Sequence, residues 1–257
     1  MLRSRISPCL LVHNKGLVKT VKFKEPKYVG DPINAVKIFN EKEVDELIVL
    51  DIDASVTGSE PDYKMIENLA NESRMPLCYG GGITTAEQAQ NIIKLGVEKV
   101  AVSSSALTNL NLLTEMADII GRQSVVVVLD IKKSMFGGYE VYTHNGKKKI
   151  KKKLDIIIQE LEETGIGELV INSIDNDGVM KGYDMNLAEK VRHLSNVPLT
   201  ILGGAGCSDD ILKLVEKFKV IGASAGSLFV FKGRYKAVLI NYLPQTILQK
   251  IREIAKL

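Results

Sequence analysis

A long internal repeat constrains this chain more than any other feature. "VLDIDAS" (Val49 to Ser55) resembles "INSIDNDG" (Ile171 to Gly178), "YGGGI" (Tyr79 to Ile83) resembles "LGGAG" (Leu202 to Gly206), and "AVSSSAL" (Ala101 to Leu107) resembles "SAGSLF" (Ser224 to Phe229). Asp51 and Asp175 stand 124 positions apart, and the first glycines, Gly80 and Gly203, 123. Two copies of one architecture of this length predict two matching halves of a single body rather than a small solenoid unit.

Strand-like runs alternate with helix-like ones inside each copy. β-Branched apolar runs occur at Arg5 to Val12, Leu47 to Ile52, Leu77 to Tyr79, Lys99 to Val102, Val125 to Ile131, Leu169 to Ser173, Leu199 to Leu202 and Val220 to Ala223. Between them lie amphipathic segments with helical spacing, among them Pro61 to Ser73, Thr85 to Leu95, Leu110 to Ile120, Leu154 to Thr164, Asn186 to Leu194 and Ser208 to Phe218. Strands apolar throughout, each followed by a helix, predict a parallel sheet covered on its outside. Eight such units in 257 residues predict an α/β fold, one (β/α)8 barrel over 1–257. Its halves would span about 1–122 and 123–231, with a divergent C-terminal segment at 232–257.

Composition excludes several classes. Lys+Arg 34 nearly balances Asp+Glu 31, so the net charge of +3 argues against a nucleic-acid partner. No run reaches the roughly 18 apolar residues of a membrane span, which predicts no membrane partner and a cytoplasmic location. Cys9, Cys78 and Cys207 are odd in number, far apart and flanked by apolar or glycine-rich sequence, and read as buried reduced thiols. No metal or cofactor signature is present.

The glycines point to anions. Clusters directly after strands, each followed by serines that open a short helix, present free backbone N–H groups at the barrel face where active sites lie. Two such clusters at matching offset predict two phosphate sites and a phosphorylated small-molecule ligand.

"ISPCLLVHNKG" (Ile6 to Gly16) and "VVVVLDIKK" (Val125 to Lys133) are also related, 119 positions apart. The second carries Asp130 where the first carries Leu11. His13 and Asn14, the nearest polar side chains, fall beyond the expected strand end, and His13 reads as a solvated loop residue. "KKKIKKK" (Lys147 to Lys153) lies on the same face and reads either as a solvated run or as an attractor for a nucleotide-sugar diphosphate.

Through "LRSRISPCL", "GDPINAVKIFNEKEVDELIVLDI", "GGGI", "VVVVLD", "SIDNDGVMKGYD" and "GGAG", the chain resembles the cyclase subunit of imidazole glycerol phosphate synthase, over about Met1 to Phe231. The resemblance implies a barrel that receives ammonia from a glutaminase partner at its bottom and uses it at the top on a substrate with two phosphate ends. It places phosphate contacts on Gly82, Ser103 and Ser104 for one end, and on Asp177, Gly178, Gly204, Gly226 and Ser227 for the other. It also puts Lys19 over the substrate, an ammonia gate on Arg5, Glu46, Lys99 and Glu168, expected to form two ion pairs across the axis, and a partner contact on Glu98.

The family's paired catalytic aspartates would fall on position 11 and Asp130. Leu11 removes one of them, so half of the acid/base arrangement is missing. Ser103 and Ser104 also depart from the Asn and Thr frequent at that phosphate site. "PCLL" without the acid resembles a divergent branch associated with sugar amidation in surface polysaccharide biosynthesis, in which a third protein, a sugar amidotransferase, takes the ammonia. The alternatives are an authentic histidine-pathway cyclase working with Asp130 alone, and a non-catalytic scaffold that activates a glutaminase.

Overall fold

The computed structural model describes residues 3–135 and 137–254; the ends of the expected 1–257 unit lie outside these. Eight parallel strands close into a barrel: β1 (Arg5–His13), β2 (Leu47–Asp51), β3 (Leu77–Gly80), β4 (Lys99–Val102), β5 (Val125–Lys133), β6 (Glu168–Ser173), β7 (Leu199–Leu202) and β8 (Gly222–Ala225). Each strand pairs with the next, and β8 returns to β1 through Arg5 with Gly222, so the sheet has no open edge. The two halves join where β5 and β6 run side by side, from Val126 with Glu168 to Ile131 with Ser173.

Eight helices cover the outside: α1 (Pro32–Glu41), α2 (Tyr63–Glu72), α3 (Ala86–Lys94), α4 (Asn111–Ile120), α5 (Leu154–Glu163), α6 (Met185–Leu194), α7 (Ser208–Phe218) and α8 (Gln245–Ile254). Local signals start them. Thr85 and Gln88 form a capping box on α3, and Asp31, Asp62 and Asp184 accept the backbone N–H that opens α1, α2 and α6. Despite its divergence the C-terminal segment still supplies the eighth helix, which buries Leu248 and Ile251.

Period-two alternation sorts the strand residues. Leu47, Val49, Val125, Val127, Leu129, Leu169 and Ile171 face the helices in the large outer core. Cys9, Ile48, Cys78, Ala101, Val126, Val128, Val170 and Leu202 face inward and fill the barrel, with Leu11 and Leu50 above them.

Most strands differ from expectation by one or two residues at an end, and two of the shifts have a clear cause. β1 continues through His13, because the chain turns there into an antiparallel hairpin, Gly16–Val21 with Lys24–Gly30, that prolongs the strand above the barrel. β8 begins at Gly222 rather than Val220, because Ser4 Oγ bonds the Lys219 carbonyl and the Ile221 N–H and takes them out of the ladder. β5 is extended in the same manner as β1, by Tyr139–Thr143 and Lys148–Lys149.

The repeat is closer than the sequence offsets indicated. Asp53 accepts the Asn14 N–H and Asp175 accepts the Lys133 N–H, both at 2.8 Å, so each half ties its first strand to its second loop with the same bond. Gly81 crowds against Asp51 and Gly203 against Ser173. The equivalent of Asp51 is therefore Ser173, not Asp175, and the offset here is 122.

Candidate functional site

The bottom of the bore is closed by charge. Arg5, Glu46, Lys99 and Glu168 sit at the starts of β1, β2, β4 and β6, and period two points them inward. Lys99 Nζ lies 2.6 Å from Glu46 and 2.8 Å from Glu168, while Arg5 lies 2.8 Å from Glu168 and 3.6 Å from Glu46. The expected pair of separate ion pairs is thus one closed ring, because all four groups crowd around one narrow axis within mutual reach. Burial disfavours charge on each of Arg5, Lys99 and Glu168, but their opposite partners outweigh it: both cations are held above their ordinary pKa values and Glu168 below its own. Thr200 Oγ1 donates to Glu168 at 2.6 Å.

Above the ring the bore is apolar, and above that it opens into a cavity of about 680 Å³ at the C-terminal ends of the strands. Asp130 stands at this mouth. Burial pushes its carboxyl up to about 7, the amide of Asn172, donating at 3.0 Å, opposes the shift, and Asp177 adds to it. Leu11, paired in register with Leu50, lines the same cavity. Asp51, at the end of β2, brings a second strand carboxylate to the cavity lining, but its Oδ1 accepts the Asp53 and Ala54 N–H at 2.8 and 3.2 Å and it does not stand at position 11, where the acid is absent. His13 does not take its place: its ring turns outward to Asp53, at 2.6 Å, and is held there rather than free in a loop.

The glycine clusters reach the mouth as expected. Gly82 (φ +73°) lies with Ser103 and Ser104, where the short helical turn Ser104–Thr108 begins; Gly204 (φ +114°) lies with Gly226 and Ser227, where the turn Ser227–Val230 begins. All six line the cavity. A Cβ at Gly82 would meet the Ser59 carbonyl at 2.6 Å, so the backbone approach is available only to glycine.

Lys19 is on the hairpin that roofs the mouth. Its Nζ donates to the Cys9 carbonyl at 2.5 Å, close beside Gly226, and burial lowers its pKa. Asp177 lines the cavity but spends its carboxylate on the hairpin, accepting from Thr20 Oγ1 at 2.7 Å and the Phe23 N–H at 3.2 Å. Gly178 packs directly under the Thr20 carbonyl. These two residues shape the roof.

Other expectations change. Lys149 pairs with Glu140 and Lys152 with Glu160, so neighbouring carboxylates divide the basic run, and Lys148 is its member that lines the cavity. Cys9 and Cys78 are buried in the bore, but Cys207 is exposed, because it occupies the cap position before α7 at the surface. Glu98 is exposed near the start of β4 and gives one oxygen to the Leu77 N–H at 2.6 Å.

Sequence reasoning passed over Asn172, whose Oδ1 is buried without a hydrogen-bond partner among the described residues. Its signal was the repeat, where Asn172 answers Leu50.

With this geometry in place, similarity to known proteins is informative. Residues 5–236 match the model of the histidine biosynthesis protein family. The chain belongs to that family. It is 61% identical over 243 residues, 94% of each chain, to a protein of Vibrio vulnificus named "Putative imidazole glycerol phosphate synthase subunit hisF3". A Leptospira interrogans protein named "Putative imidazole glycerol phosphate synthase subunit HisF" is 54% identical, over 94% of this chain and 96% of its own. "Imidazole glycerol phosphate synthase subunit HisF" of Streptococcus sanguinis is 39% identical, over 89% and 91%. The chain is a HisF-like barrel. Among the described residues no helix is long and apolar enough to cross a membrane.

Two outcomes follow from the mouth. Crystals soaked in phosphate or sulfate should show anions at Gly82 with Ser104 and at Gly204 with Ser227, and empty sites at high anion concentration would refute the two-cradle reading. The second concerns Asp130. With a folded pKa near 7 and an ordinary unfolded value of about 3.9, the folded state holds the extra proton between those values, so this residue makes stability fall as pH rises through the window. Asp130→Asn lacks that loss. Urea unfolding at pH 5 and pH 8 should show the variant gaining on the parent at the higher pH by about 1 to 2.5 kcal/mol, less than the full value because the cavity is open to water. An equal difference at both pH values rules it out.

Proposed function

We propose that this chain is the synthase-side subunit of a glutamine-dependent amidotransferase: it receives ammonia from a glutaminase docked at the bottom of the barrel and delivers it at the mouth for amidation of a sugar in surface polysaccharide biosynthesis. The observation that carries the reading is an intact charged floor beneath a mouth with one acid in place of two. Arg5, Glu46, Lys99 and Glu168 would act as a gate, and Glu98 would lie on the docking face. Lys99 is the natural moving part, being a flexible chain held by two carboxylates.

Once past the ring, ammonia meets only small or apolar walls, Cys9, Cys78, Val126 and Val170 among them. Neutral ammonia passes such a wall, whereas ammonium would leave its water behind at high cost. At the mouth Asp130, poised to take or give a proton near neutral pH, meets the nucleophile, with Asn172 holding its carboxyl. A phosphorylated ligand would be anchored at the Gly82, Ser103, Ser104 cradle, at the Gly204, Gly226, Ser227 cradle, or at both, with Lys19 above the second. Cyclisation needs proton transfer on both sides of the substrate, and Leu11 supplies none.

The second reading is imidazole glycerol phosphate synthesis with Asp130 alone, which the names of the relatives favour. The two readings part at position 11. A missing proton-transfer group costs about 10²- to 10⁴-fold in rate, so the unmodified protein, given ammonium and the histidine-pathway bisphosphate, should turn over far more slowly than Leu11→Asp. Robust turnover by the unmodified protein would sink the sugar-amidation reading.

The gate is tested by coupling. Lys99→Ala leaves buried carboxylates under-partnered and should cost about 3 to 5 kcal/mol in stability. With a glutaminase bound, the glutamine-driven rate should change while the rate from free ammonium, which enters at the mouth, changes much less. Equal factors in the two assays would leave a scaffold that only activates the glutaminase.

A further inference from the structure

Five of the ten large apolar side chains exposed among the described residues gather at one place. Val21 and Tyr28 belong to the hairpin that follows β1; Tyr235, Val238 and Leu239 belong to the segment that follows β8, in and beside the small hairpin Phe231–Lys232 with Ala237–Val238. Tyr28 is 66% exposed and Tyr235 90%, far more than a side chain kept for packing. The two hairpins form one surface, because β1 pairs with β8 and Lys27 Nζ sits 5.4 Å from the centre of the Phe231 ring.

This surface is also strongly basic. Lys22, Lys24, Lys27, Lys232, Arg234 and Lys236 are exposed, and none forms an ion pair among the described residues; Glu25 is the one carboxylate between them. Elsewhere at the mouth some cations are neutralised, Lys133 by Asp184 and Lys149 by Glu140, while Lys148 in the cavity lining is not.

The surface is held in shape and overlooks the cavity. Lys22, Phe23, Glu25 and Lys236 sit at positive φ, and the Asp177 carboxylate and carbonyl pin the first hairpin at Thr20, Lys22 and Phe23. Lys19, Thr20 and Phe23 line the cavity from one hairpin, and Gly226 and Ser227, just before the other, line it too. A body seated here therefore stands over the mouth.

We infer that these two hairpins are the docking face for a protein partner with an acidic rim around an apolar centre, the enzyme that consumes the ammonia. The identity of the partner rests on the function proposed above. Ammonia released into neutral water becomes ammonium, which is no nucleophile, so an open mouth would waste what the bore delivers. A capped mouth keeps it neutral. Aromatic anchors beside unpaired cations on a preorganised surface suit such a contact, since little ordering is needed on binding.

The test places a photo-crosslinking phenylalanine analogue at Tyr28 or Tyr235 of the full chain in its own cells, with Ile119 on α4 as the control position. Mass spectrometry should identify one product, shared by both positions and absent from the control, whose protein consumes ammonia in a reconstituted mixture with this chain and the glutaminase. Affinity for that purified protein should fall roughly tenfold or more in Tyr28→Ser with Tyr235→Ser. It should fall again in Lys24→Glu with Lys236→Glu, and weaken steeply with salt, while glutaminase binding and circular dichroism stay unchanged. No shared product, a partner that does not consume ammonia, or variants that bind as the parent does would overturn the inference. So would flotation with phosphatidylglycerol vesicles lost in the same variants, which makes the surface a lipid contact, or self-association lost in them, which makes it a contact between copies. Failure of the Lys99 coupling assay alone, with the Tyr28 and Tyr235 effects intact, removes the conduit and leaves the docking face.

Discussion

Four charges that satisfy one another under a closed sheet set the terms for everything above them. A carboxylate taken out of water is strongly disfavoured unless cations and hydrogen bonds replace its hydration. Glu46 and Glu168 each meet both Arg5 and Lys99. Even the small residues nearby serve this arrangement. Any side chain at Gly222 would collide with Thr200, whose hydroxyl is then no longer free to turn toward Glu168. A floor of this kind lets the walls above it be apolar, because no wall residue has to neutralise a stray charge. It is also breakable without unfolding the sheet, since the strands are held by their own ladders and not by the ring.

The two halves of the barrel agree in much of their framework, although the cations of the floor, Arg5 and Lys99, have no charged counterpart at Ser124 and Ile221, and they disagree again at the mouth. Asp53 and Asp175 make the same bond, Asp62 and Asp184 cap equivalent helices, Glu46 and Glu168 share the floor, and β1 and β5 both continue into hairpins. Symmetry fails at two adjoining inward positions: Leu11 stands opposite Asp130 and Leu50 opposite Asn172. Both polar members belong to the second half, and they bond to each other. The mouth is therefore polarised, with an acid and its amide partner on one wall and a leucine pair on the other.

That pattern also explains what could be read before the structure. Strand positions, the barrel and the glycine cradles depend on period and local turn chemistry, which a sequence displays directly. The ring was legible as four charged strand starts, but not as a ring, because its geometry depends on how four separate strands meet the axis. Cys207 looked buried from its glycine-rich neighbours and is exposed because a helix cap sits at the surface. His13 looked free because Asp53, its partner, is 40 residues away. Asn172 gave no local signal at all. Apart from Cys207, what was missed is a contact between residues far apart in the chain, His13 with Asp53 and Asn172 with Asp130 among them.

Burial sets the electrostatics of the roof of the mouth. Lys19 and Asp177 are both withdrawn from water, and burial works against the charge of each, lowering the pKa of the lysine and raising that of the acid. Asp177 answers with hydrogen bonds from Thr20 and Phe23 that fix the hairpin. Among the described residues Lys19 hydrogen-bonds the Cys9 carbonyl, feels the charge of Asp177, and lies against Gly226 at the edge of the second glycine cradle. An anion arriving there would add negative charge beside the lysine and draw its pKa back upward. The roof and the outer surface that carries Tyr28 belong to one hairpin, Gly16–Val21 with Lys24–Gly30.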